Sequence, residues 1–290
     1  MIDIIYTTIT FSSMLVLFKY FGKYGVNNLQ AIIVNYFTAG TLSLIVAHNN
    51  DIKISLPEII YSTYIIPSLI IGFLFIVTFN LLAFGTQKIG IAISTVANKM
   101  SMIIPVIIGI SLFSEKLGMF KLIGIVLAIS AIYMTSTKSG KLSFDKKFLP
   151  IILLIFFGQG MADGTLSWAQ KFSINDENTP LFFASVFLIA GILGSVFLIY
   201  ETIKNGFKLE FKNLIWGIGL GIPNYLTLHF FVRSLQSPIF ESSQVFPIVN
   251  MGVIVFTALA GILLFREKLS FFNWGGILVA VLAISLITFF

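Results

Sequence analysis

The chain contains no cysteine, which excludes disulfides, thiolate metal sites and cysteine nucleophiles. Histidine is nearly as scarce. His48 and His229 alone supply too little material for a catalytic triad or a histidine metal site, and no metal ligands are assigned. Charged residues make up only 10% of the chain, against about 25% in soluble domains. The familiar catalytic signatures are missing as well. There is no Gly-x4-Gly-Lys-Ser/Thr loop, no His-Glu-x2-His, no Gly-x-Ser-x-Gly, and no Gly-x-Gly-Asp pair for intramembrane proteolysis. No built-in ATPase or hydrolase is therefore expected, and no cofactor. Met1–Tyr6 lack the basic start of a secretory signal, and no small-residue cleavage site follows the first apolar run, so that run is read as a retained span.

What is present is apolar: 57% of the 290 residues are hydrophobic, and the mean hydropathy is +1.00. No aqueous core hides so much apolar surface, so the lipid bilayer is the expected solvent. A helix needs about 20 apolar residues to cross the hydrocarbon. Ten segments meet or approach that length: 3–21, 28–47, 61–84, 89–113, 119–137, 148–171, 180–200, 212–234, 238–264 and 271–290. None shows the ten-residue alternation of a membrane barrel. The expected fold is an all-α integral membrane protein of ten transmembrane helices. The net charge of +6 sits mostly in the links between spans, where lysines anchor loops at lipid headgroups. It points to the bilayer as partner and away from nucleic acid.

A long repeat organises the chain. Phe113–Ile132 and Phe265–Ile284 are identical at ten of twenty positions, at an offset of 152 residues. At the same offset Asn98 falls on Asn250 and Gly109 on Gly261. The link at 136–147 is the natural seam, dividing residues 1–140 from 146–290. Each unit then holds five spans. A copied unit with an odd number of crossings enters the membrane from the opposite side, so the expected architecture is two five-helix inverted repeats, with a binding site where the halves meet.

Both halves carry an elbow, Leu112-Phe113-Ser114-Glu115-Lys116-Leu117 and Leu264-Phe265-Arg266-Glu267-Lys268-Leu269. Glycine-bearing last helices follow (Gly124; Gly275-Gly276), and Phe246-Pro247 precedes the second elbow. On these residues the chain resembles the drug/metabolite transporter superfamily, in its EamA-like permease branch. The first half departs from that pattern at the proline: Thr95 stands where the repeat has Pro247, and Pro105 comes ten residues later. The resemblance implies a permease, two EamA-like five-helix repeats, a bacterial cytoplasmic (inner) membrane location and a small-molecule substrate. Export of amino acids or related metabolites is the commonest expectation from it. Sugar or nucleotide-sugar carriage is the alternative within transport. A membrane-embedded enzyme acting on lipid-linked substrates is the reading from another class.

Ionisable groups within apolar spans are the main functional pointers, because inserting one costs roughly 2.5–3.5 kcal/mol. Lys99 is expected to bind an anionic group, to take part in proton coupling, or to pair with Asp163. Asp163 lies in Gly158-Gln159-Gly160-Met161-Ala162-Asp163-Gly164, where glycines admit close neighbours. Asn80, Asn224 and the repeat-related Asn98 and Asn250 are expected to face the interior, since an amide facing lipid is costly. An unperturbed histidine changes charge in the physiological range, so His229 is a candidate for proton coupling beside Asp163, with a hydrogen-bonded interface role as the commoner alternative; facilitated diffusion is equally compatible. Trp168 reads as an interface anchor within reach of the cavity. Glu241 is expected near Arg233. Glu115 and Glu267 are read as caps at the positive N-terminal ends of the helices that follow them. The expected cavity is lined by the third, fourth, eighth and ninth spans, with the first and sixth contributing.

Orientation divides the arguments. Links joining odd to even spans hold twelve Lys and Arg, and the others hold five. The positive-inside rule then places both termini outside, whereas the resemblance implies both inside. The reading follows the resemblance, because several of those lysines sit within helix ends.

Overall fold

The computed structural model describes residues 2–88, 91–115, 118–136, 146–205, 210–265 and 270–289, and these contain helix and no strand. In chain order the helices are α1 (Ile2–Tyr24), α2 (Asn28–Asn49), α3 (Leu56–Ile60), α4 (Ile65–Lys88), α5 (Ile91–Met100), α6 (Ile103–Leu112), α7 (Met119–Ser136), α8 (Leu149–Phe172), α9 (Thr179–Asn205), α10 (Phe211–Gln236), α11 (Ser242–Phe265) and α12 (Phe271–Phe289). Apolar runs in an apolar solvent resolve into helices because a helix satisfies its own backbone groups. Among the described residues, α1, α2, α4, α8, α9, α10 and α11 are long and apolar enough to cross a membrane. Three further apolar stretches, Ala97–Leu112, Met119–Met134 and Phe271–Ile287, are shorter. The chain is an all-α, multi-pass membrane protein.

The fourth span, expected as one helix over 89–113, is two half-helices instead. α5 ends at Met100 and α6 begins at Ile103, with a turn at Ser101–Met102. Pro105 explains the break: it has no N–H to give the carbonyl of Ser101. That carbonyl accepts from Ile104 instead (2.9 Å), and Met102 donates to Lys99 (3.3 Å), so the backbone tightens into three-residue turns. The link at 48–57 also differs from a plain polar loop, since Pro57 opens the one-turn helix α3.

Packing divides the helices into two sets around a central space. One set is α1 with α10 and α11, and the other is α8 with α4, α5 and α6. Helices α2 and α9 pack on each other and flank both sets, α2 against α10 and α9 against α4. On the far side α7 and α12 form a tight pair, which α11 and α5 lean upon.

The two ends of the bundle are distinguishable by their bonds. At one end, hereafter the terminal face, Asp3 pairs with Arg233 (3.4 Å) and Gln244 Nε2 donates to the Ile287 carbonyl (2.7 Å). At the other, Asn27 N donates to Asn213 Oδ1 (3.0 Å) and Asn273 Nδ2 to the Met134 carbonyl (2.9 Å).

With no water to expel between helices in lipid, close backbone approach and polar bonds carry the association. The α2–α10 seam uses both. A Cβ added at Gly217 would lie 2.7 Å from the Ala31 carbonyl, and one at Gly221 2.8 Å from the Asn35 carbonyl. Along the same seam Asn213 Nδ2 donates to Gln30 Oε1 (2.7 Å) and Asn224 Nδ2 to Asn35 Oδ1 (3.0 Å). Gly219, between the two contact glycines, faces open space. Gly221→Val is therefore expected to lower stability by about 1–3 kcal/mol through overpacking against a backbone carbonyl that has no room to give. Gly219→Ala should leave it unchanged. Thermal unfolding of the purified protein in detergent compares the two.

Candidate functional site

Just before the break in the fourth span, Asn98 and Lys99 line a cavity of about 120 Å³ between the two helix sets. Its lining comes from α1, α4, α5, α8, α10 and α11, the segments to which the sequence points. The polar wall is Asn98, Lys99, Gln159, Asp163, Asn224 and Asn250, joined by Thr7 and Thr227. The remainder is apolar and rich in phenylalanine, with Phe11, Phe18, Phe75, Phe79, Phe231 and Phe246 facing the space.

Lys99 is 4% exposed and does not pair directly with Asp163, as the sequence reading had allowed. Its ammonium donates to Asn250 Oδ1 (3.3 Å) across the cavity and lies 3.8 Å from the centre of the Phe11 ring. Both partners belong to the facing helix set. A cation over an aromatic face is stabilised by roughly 2 kcal/mol when desolvated, which offsets much of the insertion cost without cancelling the charge.

Asp163 is held on its own side. Its Oδ1 accepts from Gln159 Nε2 (2.9 Å), one turn earlier on α8, and Gln159 Oε1 accepts from Asn98 Nδ2 (3.1 Å) on α5. The chain Asp163–Gln159–Asn98 thus ends beside Lys99 in sequence, while Lys99 reaches the other way to Asn250. An acid and a base share one small cavity, each fixed by neutral amides rather than by the other. Such a site has a place for an anionic group near Lys99 and for a cationic or hydrogen-bonding group near Asp163, with rings to cover an apolar body.

The repeat-related amides do not form matched walls. Asn98 is tied to Gln159, and Asn250 receives Lys99. Asn224 lines the cavity yet donates to the fully buried Asn35 in the α2–α10 seam. Asn80 donates to the Ile76 carbonyl of its own helix and is not in the lining. His229 stacks on Tyr225 (5.9 Å) and sits edge-on to Phe230, outside the lining. Trp168 is 41% exposed against Phe172, also outside it. Gln159 went unremarked among the candidates, although an amide between two glycines in an apolar span was visible. On α1, Thr7, Phe11, Met14 and Phe18 recur at helical spacing, which marks one face.

The elbow residues are placed differently from expectation. Glu115 does not cap α7, the helix that follows it. Its carboxylate crosses to the N-terminus of α11, where Oε1 accepts from the Ser242 backbone N–H (3.1 Å) and hydroxyl, and Oε2 from the Ser243 N–H (2.9 Å). Burial pushes the Glu115 carboxyl up, but the bonds from Ser242 and Ser243 and the charge of Lys121 outweigh it and hold the group below its ordinary value. It is ionised at neutral pH. Glu241 pairs with the buried Lys121 rather than with Arg233, which takes Asp3. Glu267 lies outside the described residues.

Comparison with known proteins adds the fold and little chemistry. No model of a known protein family matches the chain. An uncharacterized protein of Haemophilus influenzae is 28% identical over 263 residues, covering 88% of this chain and 86% of its own length. A solved crystal structure superposes with a TM-score of 0.77 at 10% identity, over 98% of this chain and 94% of that one. At that identity the likeness is one of fold alone.

Asn224 has two roles available, wall and seam, and they separate by measurement. Asn224→Leu strands Asn35 Oδ1 in a buried seam and is expected to cost about 1–3 kcal/mol of stability. The double variant Asn35→Leu, Asn224→Leu should recover part of that loss, because no polar atom is then left unpaired. A full thermodynamic cycle in detergent reads the coupling.

Proposed function

We propose that the chain is a secondary carrier that moves a small polar metabolite, an amino acid or related compound, across the bacterial cytoplasmic membrane by alternating access, in the direction of export. In this reading it belongs with the EamA-like permeases, performs no covalent chemistry, and is built as ten membrane segments in two inverted five-helix repeats. The observation that carries it is the cavity itself. Lys99 and Asp163 line one cavity between two helix sets, each hydrogen-bonded to an amide and not directly to the other. A scaffold has no use for an unpaired cation and a carboxylate buried together, whereas a zwitterionic or anionic solute does.

The packing supports the repeat. At the offset of 152 residues, α1 on α10 corresponds to α8 on α4, α1 on α11 to α8 on α5 and α6, and α2 on α10 to α9 on α4; all of these contacts occur. Side chains follow the same rule. Lys19 lies over the Phe265 ring (4.0 Å) and Lys171 over the Phe113 ring (4.4 Å). Tyr20 meets Phe265 and Phe172 meets Phe113. Each half lends a first helix to the other, so each helix set mixes both halves. That exchange is the arrangement expected of two bodies that rock about a central site.

The experiment is an uptake and efflux screen in proteoliposomes against a library of amino acids, sugars and nucleotide sugars. For the substrate found, Lys99→Met and Asp163→Asn are expected to reduce transport at least about tenfold, the scale of losing one charge-assisted contact. His229→Gln and Trp168→Phe should reduce it less. Transport that survives both Lys99→Met and Asp163→Asn would sink the reading.

A further inference from the structure

At the terminal face, the Glu115 carboxylate joins the two helix sets beside the cavity. Three observations converge on it. First, the elbow after α6 is bent to deliver Glu115. Ser114 adopts a left-handed backbone (φ 57°), which a non-glycine residue holds only under constraint. The turn returns the Glu115 N–H to the Gly109 carbonyl (3.2 Å). Gly109 is needed there, because an added Cβ would lie 2.8 Å from Glu115 Oε2 and 3.0 Å from Ser242 Oγ. Second, the delivered carboxylate meets the first turn of α11 with both oxygens, taking two backbone N–H groups and one hydroxyl. A helix N-terminus carries partial positive charge and unpaired donors, so a carboxylate is strongly favoured there. Third, the contact sits directly over the site: Phe246, one turn along α11 from Ser242, is already part of the cavity wall.

Each helix set is also tied within itself. Lys171 and Phe172 of α8 hold Phe113 at the end of α6, and Lys19 and Tyr20 of α1 hold Phe265 at the end of α11. Polar bonds also join the two sets. Lys99–Asn250 spans the middle of the cavity, and Glu115 with Ser242 and Ser243, flanked by Lys121–Glu241, spans the terminal face. We infer that Glu115 is the terminal-face gate: its carboxylate latches α6 to the N-terminus of α11, and release of that latch opens the cavity to the face carrying both chain ends.

The side chains around Glu115 in this latch occur in one copy of the repeat. At the same offset, Ser242 and Ser243 correspond to Gly90 and Ile91, Glu241 to Ile89 and Lys121 to Asn273. In sequence the corresponding positions carry neither the hydroxyls nor the paired charges. A solute that recruits Lys99 or Asn250 removes the middle tie and leaves the Glu115 latch as the bond that decides the switch.

The inference deepens the carrier reading but is tested without a substrate, so failure of one is distinguishable from failure of the other. The chain has no cysteine of its own, which makes single-cysteine labelling clean. Val249→Cys reports the cavity wall, and Tyr61→Cys, at an exposed terminal-face position, reports which preparation presents that face. A membrane-impermeant thiol reagent is applied to intact cells and to inverted vesicles. In the preparation that labels Tyr61→Cys, Glu115→Gln is expected to speed labelling of Val249→Cys by at least about tenfold, with Glu115→Asp falling between it and the parent. Ser242→Ala removes only the hydroxyl donor and should raise the rate by about threefold, the scale of one hydrogen bond. Unchanged rates in both Glu115→Gln and Ser242→Ala overturn the proposal. An equal rise from both sides of the membrane also overturns it, because that result marks general loosening rather than a gate.

Discussion

A backbone group without a partner is more costly in lipid than anywhere else in biology, and that constraint shapes this protein around one break. Every long apolar run resolves into helix, except that the fourth span is interrupted at Ser101–Met102. Pro105 withdraws a donor, and short three-residue turns re-satisfy the carbonyls of Lys99 and Ser101. Irregular backbone is tolerated at such depth only where protein or a polar cavity surrounds it. Here both do. The half-helix α5 ends at Lys99 and Met100, so the same break that spoils the helix presents the ammonium to the cavity.

Charge inside the bundle is managed by distribution rather than by pairing. Lys99 and Asp163 are near enough to share a cavity, yet the cation leans on Phe11 and Asn250 and the acid on Gln159. A direct ion pair would satisfy both groups and leave nothing for a solute. Amides and a ring hold each in place and keep its charge on offer. The cation's partners lie on the facing helix set and the acid's on its own. The two groups therefore bear unequally on the two sets.

Symmetry and its failures carry different information. The matched contacts, Lys19 with Phe265 and Lys171 with Phe113, recur at the offset of the sequence repeat and tie each set internally. The unmatched side chains lie at the cavity and at the terminal face. Pro105 and Lys99 have no counterpart at that offset, and neither do the hydroxyls of Ser242 and Ser243 or the charges of Lys121 and Glu241.

How much of this was legible beforehand depends on the range of the interaction. Hydropathy and length alone determined that the chain is helical and embedded in a bilayer, because the cost of exposing backbone in lipid leaves few alternatives. The same economy flagged Lys99, Asp163 and the amides of the cavity wall, since a polar group in an apolar run needs a reason. What the residues by themselves did not determine was partnership. Glu115 precedes α7 by four residues and was read as its cap, yet a left-handed Ser114 turns it onto α11. Asn224 looked like cavity wall and serves the α2–α10 seam as well. Pairing with Asp163 is one of the roles open to Lys99 in sequence, and in the structure it meets a ring and an amide instead. Helix formation and membrane insertion are local sums over consecutive residues, so the sequence determines them. Which side chain meets which across a bundle is set by helix rotation, close approach at glycine and the direction of a turn, and only the tertiary structure decides those.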